Sequence, residues 1–147
     1  MAGWSLRPLW QIADIATGKP TAVVWGNELQ SLGLYGVAQG WHPQHKRWTI
    51  TLNPYALTDD YGIPNRIFAN VFFHECWHVR QGHPSWDGYI PPAQLLTLKT
   101  AGKLRTTADI DASNESRRRE AMADEFARLA AERWTTAWLW DYIRRHG

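Results

Sequence analysis

The sequence contains little of what disulfide-stabilised, membrane-spanning or nucleic-acid-binding proteins usually need. Its only cysteine is Cys76, so an intramolecular disulfide is excluded and a reducing compartment is permitted. No apolar run approaches membrane-spanning length, and the first residues lack a charged segment followed by an apolar one. The 16 basic and 14 acidic residues nearly balance, which disfavours nucleic acid as a partner. We therefore expect a cytoplasmic protein with no membrane partner.

The chain is rich in apolar and aromatic residues. With 147 residues, 44% of them hydrophobic, it has enough material for one core, so we predict a single domain over residues 1–147. It contains 10 tryptophans, many for this length. A carbohydrate-binding surface would explain them, but tryptophan more often supplies packing area, which favours the core and a substrate groove.

Segments in the front half of the sequence are rich in β-branched and aromatic residues or alternate between apolar and polar residues, which is typical of strands. We predict three strands, at Thr21–Trp25, 32–38 and Arg47–Leu52, with a hairpin loop over residues 40–45. This hairpin would bring Trp41 near Trp48. The expected fold class is α+β, with a small, mostly antiparallel three-stranded sheet.

Helical periodicity dominates the rest of the chain. Apolar residues recur every three to four positions over residues 8–16 and 67–79, and Gly82 with Pro84 ends the second segment. A short helix is expected at 93–100, an irregular stretch at 102–113, and a long or broken helix from about residue 115.

The segment His74-Glu75-Cys-Trp-His78 carries the clearest chemical signal. Residues four apart stack on one helix face, so the two imidazoles can bind one metal ion. Glu75 lies beside them, placed to reach a metal-bound water as a general base. An H-E-x-x-H string also arises by chance, but this one lies within an apolar helical pattern. Zinc additionally needs a third protein ligand and one open position.

A second acidic segment supplies the candidate third ligand. Glu120 and Asp124 are four apart, so on a helix they share a face. With Glu120 on the metal, Asp124 would accept the other ring N–H of His74 in a second shell. Small residues at 121, 123 and 127 would let the two helices approach closely. A solvated helix face is the alternative interpretation of these charges.

Other residues compete less well for the metal. His83 follows the motif, but its spacing is one residue short of the metzincin pattern and the glycine is one place late. Glu125 points to a different side of the helix from Glu120. Cys76 is better explained as a small core residue. His42 and His45 are expected in an exposed loop.

The two helical motifs together resemble the gluzincin metallopeptidases, and within them the small ImmA/IrrE-like metallopeptidase domain. Leu34-Tyr-Gly36 and Ile50-Thr-Leu-Asn53 are similar to strands that precede the motif helix in that family. The resemblance implies a zincin-type helical core with one Zn²⁺ per chain, bound by His74, His78 and Glu120. It also implies that Glu75 is the catalytic base of an endopeptidase. The substrate would be a peptide or protein, in many relatives a regulatory protein.

In such enzymes an extended substrate commonly pairs with an exposed sheet edge. The edge candidate in this sequence is the third strand, with Trp48, Ile50 and Leu52. An oxyanion-stabilising donor is also expected, and Tyr89 and His83 are the candidates. Two other functions stay open: a catalytically silent zinc-binding sensor or partner-binding protein of the same fold, and a zinc hydrolase acting on a non-protein amide. The sequence does not indicate the oligomeric state.

Overall fold

A computed structural model of the chain describes residues 4–82, 88–101 and 114–147, and within them it confirms the α+β class. Seven helices and three strands occur in these residues. In chain order they are α1 (Leu9–Thr17), β1 (Thr21–Trp25), α2 (Leu29–Leu32), β2 (Gly36–His42), β3 (Arg47–Leu52), α3 (Pro54–Leu57), α4 (Phe68–Gln81), α5 (Pro92–Thr100), α6 (Asn114–Arg133) and α7 (Thr136–His146).

The sheet is mixed, which corrects the prediction of a mostly antiparallel one. Its strand order is β1-β3-β2, with β3 antiparallel to β2 but parallel to β1. A tight turn joins β2 to β3, so that pair forms a hairpin. The chain between β1 and β3 passes through α2 and β2, and this crossover brings β3 alongside β1 in the same direction.

The third strand lies in the centre of the sheet, so the prediction that Trp48, Ile50 and Leu52 form a substrate-binding edge is wrong. The N–H of Trp48 donates to the carbonyl of Pro20 at 2.9 Å, and the carbonyl of Leu52 accepts from the N–H of Gly26 at 2.9 Å. The other side of β3 pairs with β2. Both edges of β3 are therefore occupied by neighbouring strands.

The second strand begins and ends later than predicted. Leu32 is the last residue of α2, and Gly33 has a left-handed φ of 70°, which turns the chain before the strand starts. The strand then runs through a bulge between Gln39 and Trp41 and continues to His42. His42 is consequently buried rather than exposed in a loop. Trp41 pairs across the hairpin with Trp48, as predicted.

The helix that carries the histidine motif lies against the sheet in the main core. Its fully buried side chains Phe68, Phe72 and Cys76 pack with Ile50 and Leu52 of β3. This confirms Cys76 as a core residue. Gly82 ends the helix with a φ of 71°, and its N–H bonds the carbonyls of the last turn, as the sequence indicated.

From residue 114 onward the chain forms two helices, so of the long or broken C-terminal helix that the sequence predicts, the broken form is confirmed. The first, α6, packs against α4 through small buried residues, Ala123 and Ala127. The second, α7, begins at a capping residue, Thr135, whose hydroxyl accepts from the N–H of Trp138, and buries Leu139. In the described part of the chain, no helix is long and apolar enough to cross a membrane.

Candidate metal centre

The two motif histidines project from the last two turns of α4 toward the same point. Their Nε2 atoms lie 3.2 Å apart. His78 is buried and also packs edge-on against the ring of Trp77. The helical spacing of four residues sets this separation, and the packed core under α4 fixes the helix that carries both rings.

Glu120 reaches the same point from α6. Its Oε1 lies 2.8 Å from Nε2 of His78, and its Oε2 lies 3.0 Å from Nε2 of His74. Ala123 and Ala127 are buried where α6 packs against α4. Their small side chains let the two helices approach closely enough for Glu120 to reach both histidines. One carboxylate thus bridges two imidazoles on a neighbouring helix.

The donor set fits a zinc ion. Zinc prefers imidazole nitrogen and carboxylate oxygen at about 2.0–2.1 Å, and tetrahedral geometry then separates two ligand atoms by roughly 3.3 Å. The three groups offer ligand atoms that all lie within 4.8 Å of one another. The closest pairs, at 2.8–3.2 Å, need to open by only tenths of an ångström. Three protein ligands leave a fourth position open for solvent.

Asp124 lies behind His74, one turn after Glu120 on α6. Its Oδ1 is 2.8 Å from Nδ1 of His74. A carboxylate accepts the Nδ1–H, and this leaves the lone pair of Nε2 directed at the metal position. Asp124 itself is 74% exposed, so this contact lies on the solvent-facing side of the site.

The pKa values of His74 and Glu120 are shifted far from their ordinary values. Burial disfavours a charged His74, but its hydrogen bond to Glu120 and the nearby carboxylates outweigh burial and raise its pKa to about 9. The hydrogen bonds from His74 and His78 hold the pKa of Glu120 well below its usual value. A metal ion therefore has to displace a proton from His74 at neutral pH.

Glu75 is next to the ligands but faces the sheet. Only 8% of its surface is exposed, and burial raises the pKa of its carboxyl group. His74, His78 and Glu120 all influence that pKa, so the carboxylate lies close to the three ligands. The backbone N–H of Ala38 in β2 also interacts with the carboxylate. Glu75 therefore lies between the metal position and the second strand.

The remaining predicted site residues lie apart from this cluster or outside the described residues. The ring of Tyr89 stacks on His42 at 4.1 Å, and its N–H donates to the carbonyl of Trp41. The predicted oxyanion role of Tyr89 stays a prediction. Glu125 pairs with Arg128 on the exposed face of α6. His83 lies outside the described residues.

Sequence reasoning did not identify the second strand as the neighbour of the general-base candidate. Gly36 and Ala38 of β2 lie over Glu75. One signal was present, because a glycine inside a strand often marks a close approach by another group. The group that approaches Gly36 is 39 positions later in the chain, and no local pattern names it.

Comparison of the chain with models of known families, with curated proteins and with solved structures finds no match. The functional interpretation therefore depends on the geometry of the site itself.

Proposed function

We propose that this protein is a zinc-dependent metallopeptidase of the gluzincin type. The observation that carries the proposal is the convergence of His74, His78 and Glu120 from two helices, with their donor atoms 2.8–3.2 Å apart. A zinc ion bound there would polarise the scissile carbonyl and lower the pKa of its water to about 7.

Glu75 is the proposed general base. Its burial raises the pKa of its carboxyl group, which makes the carboxylate a better proton acceptor than an exposed glutamate. It takes a proton from the attacking water and passes that proton to the leaving amine. Glu75 directly follows the proposed ligand His74 in α4, so the rigid helix backbone keeps the proposed base next to the metal position.

The sheet edges indicate where an extended peptide would bind. The outer edge of β1 is covered by α1: the indole of Trp10 donates to the carbonyl of Val23, and Asp14 accepts from the N–H of Thr21. The outer edge of β2 is covered beyond its bulge by Gly88 and Tyr89, which pair with Trp41.

The first half of the β2 edge is the remaining candidate. The carbonyl of Tyr35 accepts from the N–H of Asn53 across the hairpin. Because the direction of the backbone groups alternates along a strand, those of Gly36 and Ala38 then point away from β3. These two residues also lie next to Glu75. A peptide paired there would bring its main chain alongside the proposed metal centre, so the proposed substrate edge is β2 and not β3.

The test combines metal analysis with a cleavage assay. Purified protein should bind one zinc per chain, and mass spectrometry of an unstructured peptide library should detect cleavage that a chelator abolishes. Glu75→Gln should keep the zinc and lose at least about 100-fold in kcat. Glu132→Gln, an exposed glutamate on α6, is the matched control and should cleave normally.

Three results would overturn the proposal. A folded protein that binds no divalent ion removes its basis. Equal cleavage by the wild type and Glu75→Gln would show that Glu75 is not the general base. If no peptide is cleaved, while His74→Ala abolishes binding of a partner and Glu75→Gln does not, the protein is a zinc-binding sensor instead.

A further inference from the structure

The first half of β2 is built from small residues where it crosses α4. Gly36 and Ala38 both face this helix, and both lie beside Glu75. A methyl group placed on Gly36 would lie 3.2 Å from Cγ of Glu75, and also 3.2 Å from a methyl of Leu52 and one of Val71. The site therefore has no room for a side chain at position 36 unless its neighbours move.

Glycine is usually required where the backbone is left-handed, but at position 36 the requirement has another cause. The φ of Gly36 is not positive, whereas Gly33 has a φ of 70° that an L-residue adopts only with strain. Alanine at position 36 would meet no backbone penalty, and glycine weakens a strand relative to residues with a side chain. The requirement for glycine thus comes from the neighbouring side chains.

We propose that Gly36 is a positioning residue for Glu75. The missing side chain lets the stem of Glu75 lie flat against β2, with its carboxylate close to the backbone of Ala38 and to the proposed metal centre. This inference rests on the proposed function, because the orientation of Glu75 matters only where Glu75 acts on a substrate. Gly36 supplies the space that the stem of Glu75 occupies.

The expected effect is on turnover. A methyl at position 36 pushes Cγ of Glu75 away by a few tenths of an ångström, and the carboxylate at the end of the chain moves further. Misplacement of a reacting group by about 1 Å can cost on the order of 100-fold in rate, so Gly36→Ala should lower kcat by roughly 10- to 100-fold. Zinc stoichiometry should be unchanged, because the atoms nearest to the added methyl belong to Glu75, Leu52 and Val71 and not to the proposed ligands. KM should also be unchanged, because the methyl points toward α4 and leaves the backbone groups of Gly36 in place for the peptide.

The kinetic experiment uses one peptide that the wild type cleaves, with zinc-loaded wild type, Gly36→Ala and Gly88→Ala. Gly88 is the matched control, because a methyl there meets nothing within 4 Å and its φ is not positive. A rise in KM with unchanged kcat would overturn the inference, since the methyl would then only obstruct the substrate. Unchanged kinetics would also overturn it.

A second substitution separates the contact with Glu75 from the contact with Val71. Val71→Ala removes the Cγ1 atom that crowds position 36 but leaves Glu75 in place. The double variant Gly36→Ala/Val71→Ala should keep the low kcat of Gly36→Ala. Recovery of kcat would mean that the methyl acts through Val71, which contradicts the positioning role.

A thermal cycle on metal-free protein tests the contact without any activity. The change in Tm caused by Gly36→Ala is measured in the wild type and in Glu75→Ala, which lacks Cγ. The methyl should be more favourable for Tm in the Glu75→Ala background, where it meets no crowding from residue 75. Equal changes in both backgrounds would overturn the inference. If the proposed peptidase function is wrong but the contact is real, the wild type will cleave no peptide, while the Tm change caused by Gly36→Ala will still differ between the two backgrounds.

Discussion

Oδ1 of Asp124 lies 2.8 Å from Nδ1 of His74, across the interface between α6 and α4. The two residues are 50 positions apart in the sequence, so the contact exists only because the helices meet. Asp124 accepts the Nδ1–H, and this contact orients the ring of His74 so that Nε2 points toward Glu120 and His78.

The first prediction follows from this contact. Asp124→Ala should weaken zinc binding by about 10-fold, toward the low end of the 10- to 100-fold range for outer-shell partners, because Asp124 is 74% exposed. Competition with a chelator dye measures the change. Asp141→Ala, which removes an aspartate paired with Arg145 on α7, is the control. Identical zinc affinities in both variants would show that Asp124 does not support the site.

The second prediction concerns the third ligand. Glu120→Ala should weaken zinc binding by more than about 100-fold, because it removes a ligand rather than an outer partner. Glu125→Ala is the control on the same helix, since Glu125 pairs with Arg128 on the exposed face. Zinc binding by Glu120→Ala at wild-type strength would mean that another residue is the third ligand.

Local sequence signals predicted the helices of the site. The spacing of His74 and His78 needs only a helix, and the apolar pattern with Gly82 defines where that helix ends. The 3.6-residue period likewise places Glu120 and Asp124 on one face of α6. These features depend on neighbouring residues, and the structure brings all four side chains together as predicted.

The order of the strands was not predictable from local signals. Alternation in Arg47–Leu52 identifies a strand but not its partners, and β3 became central because β1 pairs with it after a crossover. The short helix α3 was also missed, although Asn53 caps it through the N–H groups of Tyr55 and Ala56. The contact between Gly36 and Glu75 likewise depends on tertiary packing.

The third prediction concerns the pH dependence of stability in the metal-free protein. The pKa of His74 is raised from 6.5 to about 9, so its protonated form stabilises the fold. That stabilisation is fully present below about pH 6.5 and is lost as the pH rises through about 9. It amounts to roughly 3–4 kcal/mol, at about 1.4 kcal/mol per pKa unit.

Denaturant unfolding in the presence of a chelator measures this effect. His74→Gln should be less stable than the wild type at about pH 6, and the difference should shrink toward zero by about pH 10. Gln81→Asn, at an exposed residue of the same helix that carries no ionisable group, should show no such trend. A stability gap between His74→Gln and the wild type that is constant with pH would contradict the assigned protonation.

The fourth prediction concerns the end of the motif helix. The ammonium group of Lys19 donates to the carbonyl of Val79 at 2.7 Å and lies 4.9 Å from the ring centroid of Trp48. It therefore places a positive charge at the C-terminus of α4, where the helix dipole is negative, and ties the turn after His78 to the sheet.

Lys19→Met keeps much of the aliphatic stem but removes this charge and hydrogen bond. The free energy of unfolding should fall by about 1 kcal/mol, which corresponds to a Tm lower by roughly 2–4 °C for a domain of this size. Lys46→Met, in the exposed hairpin turn, is the matched control and should leave Tm within about 1 °C. The Lys19→Met loss should shrink at high salt, because screening weakens the charge–dipole interaction. A loss that does not depend on salt would instead assign the effect to packing against Trp48.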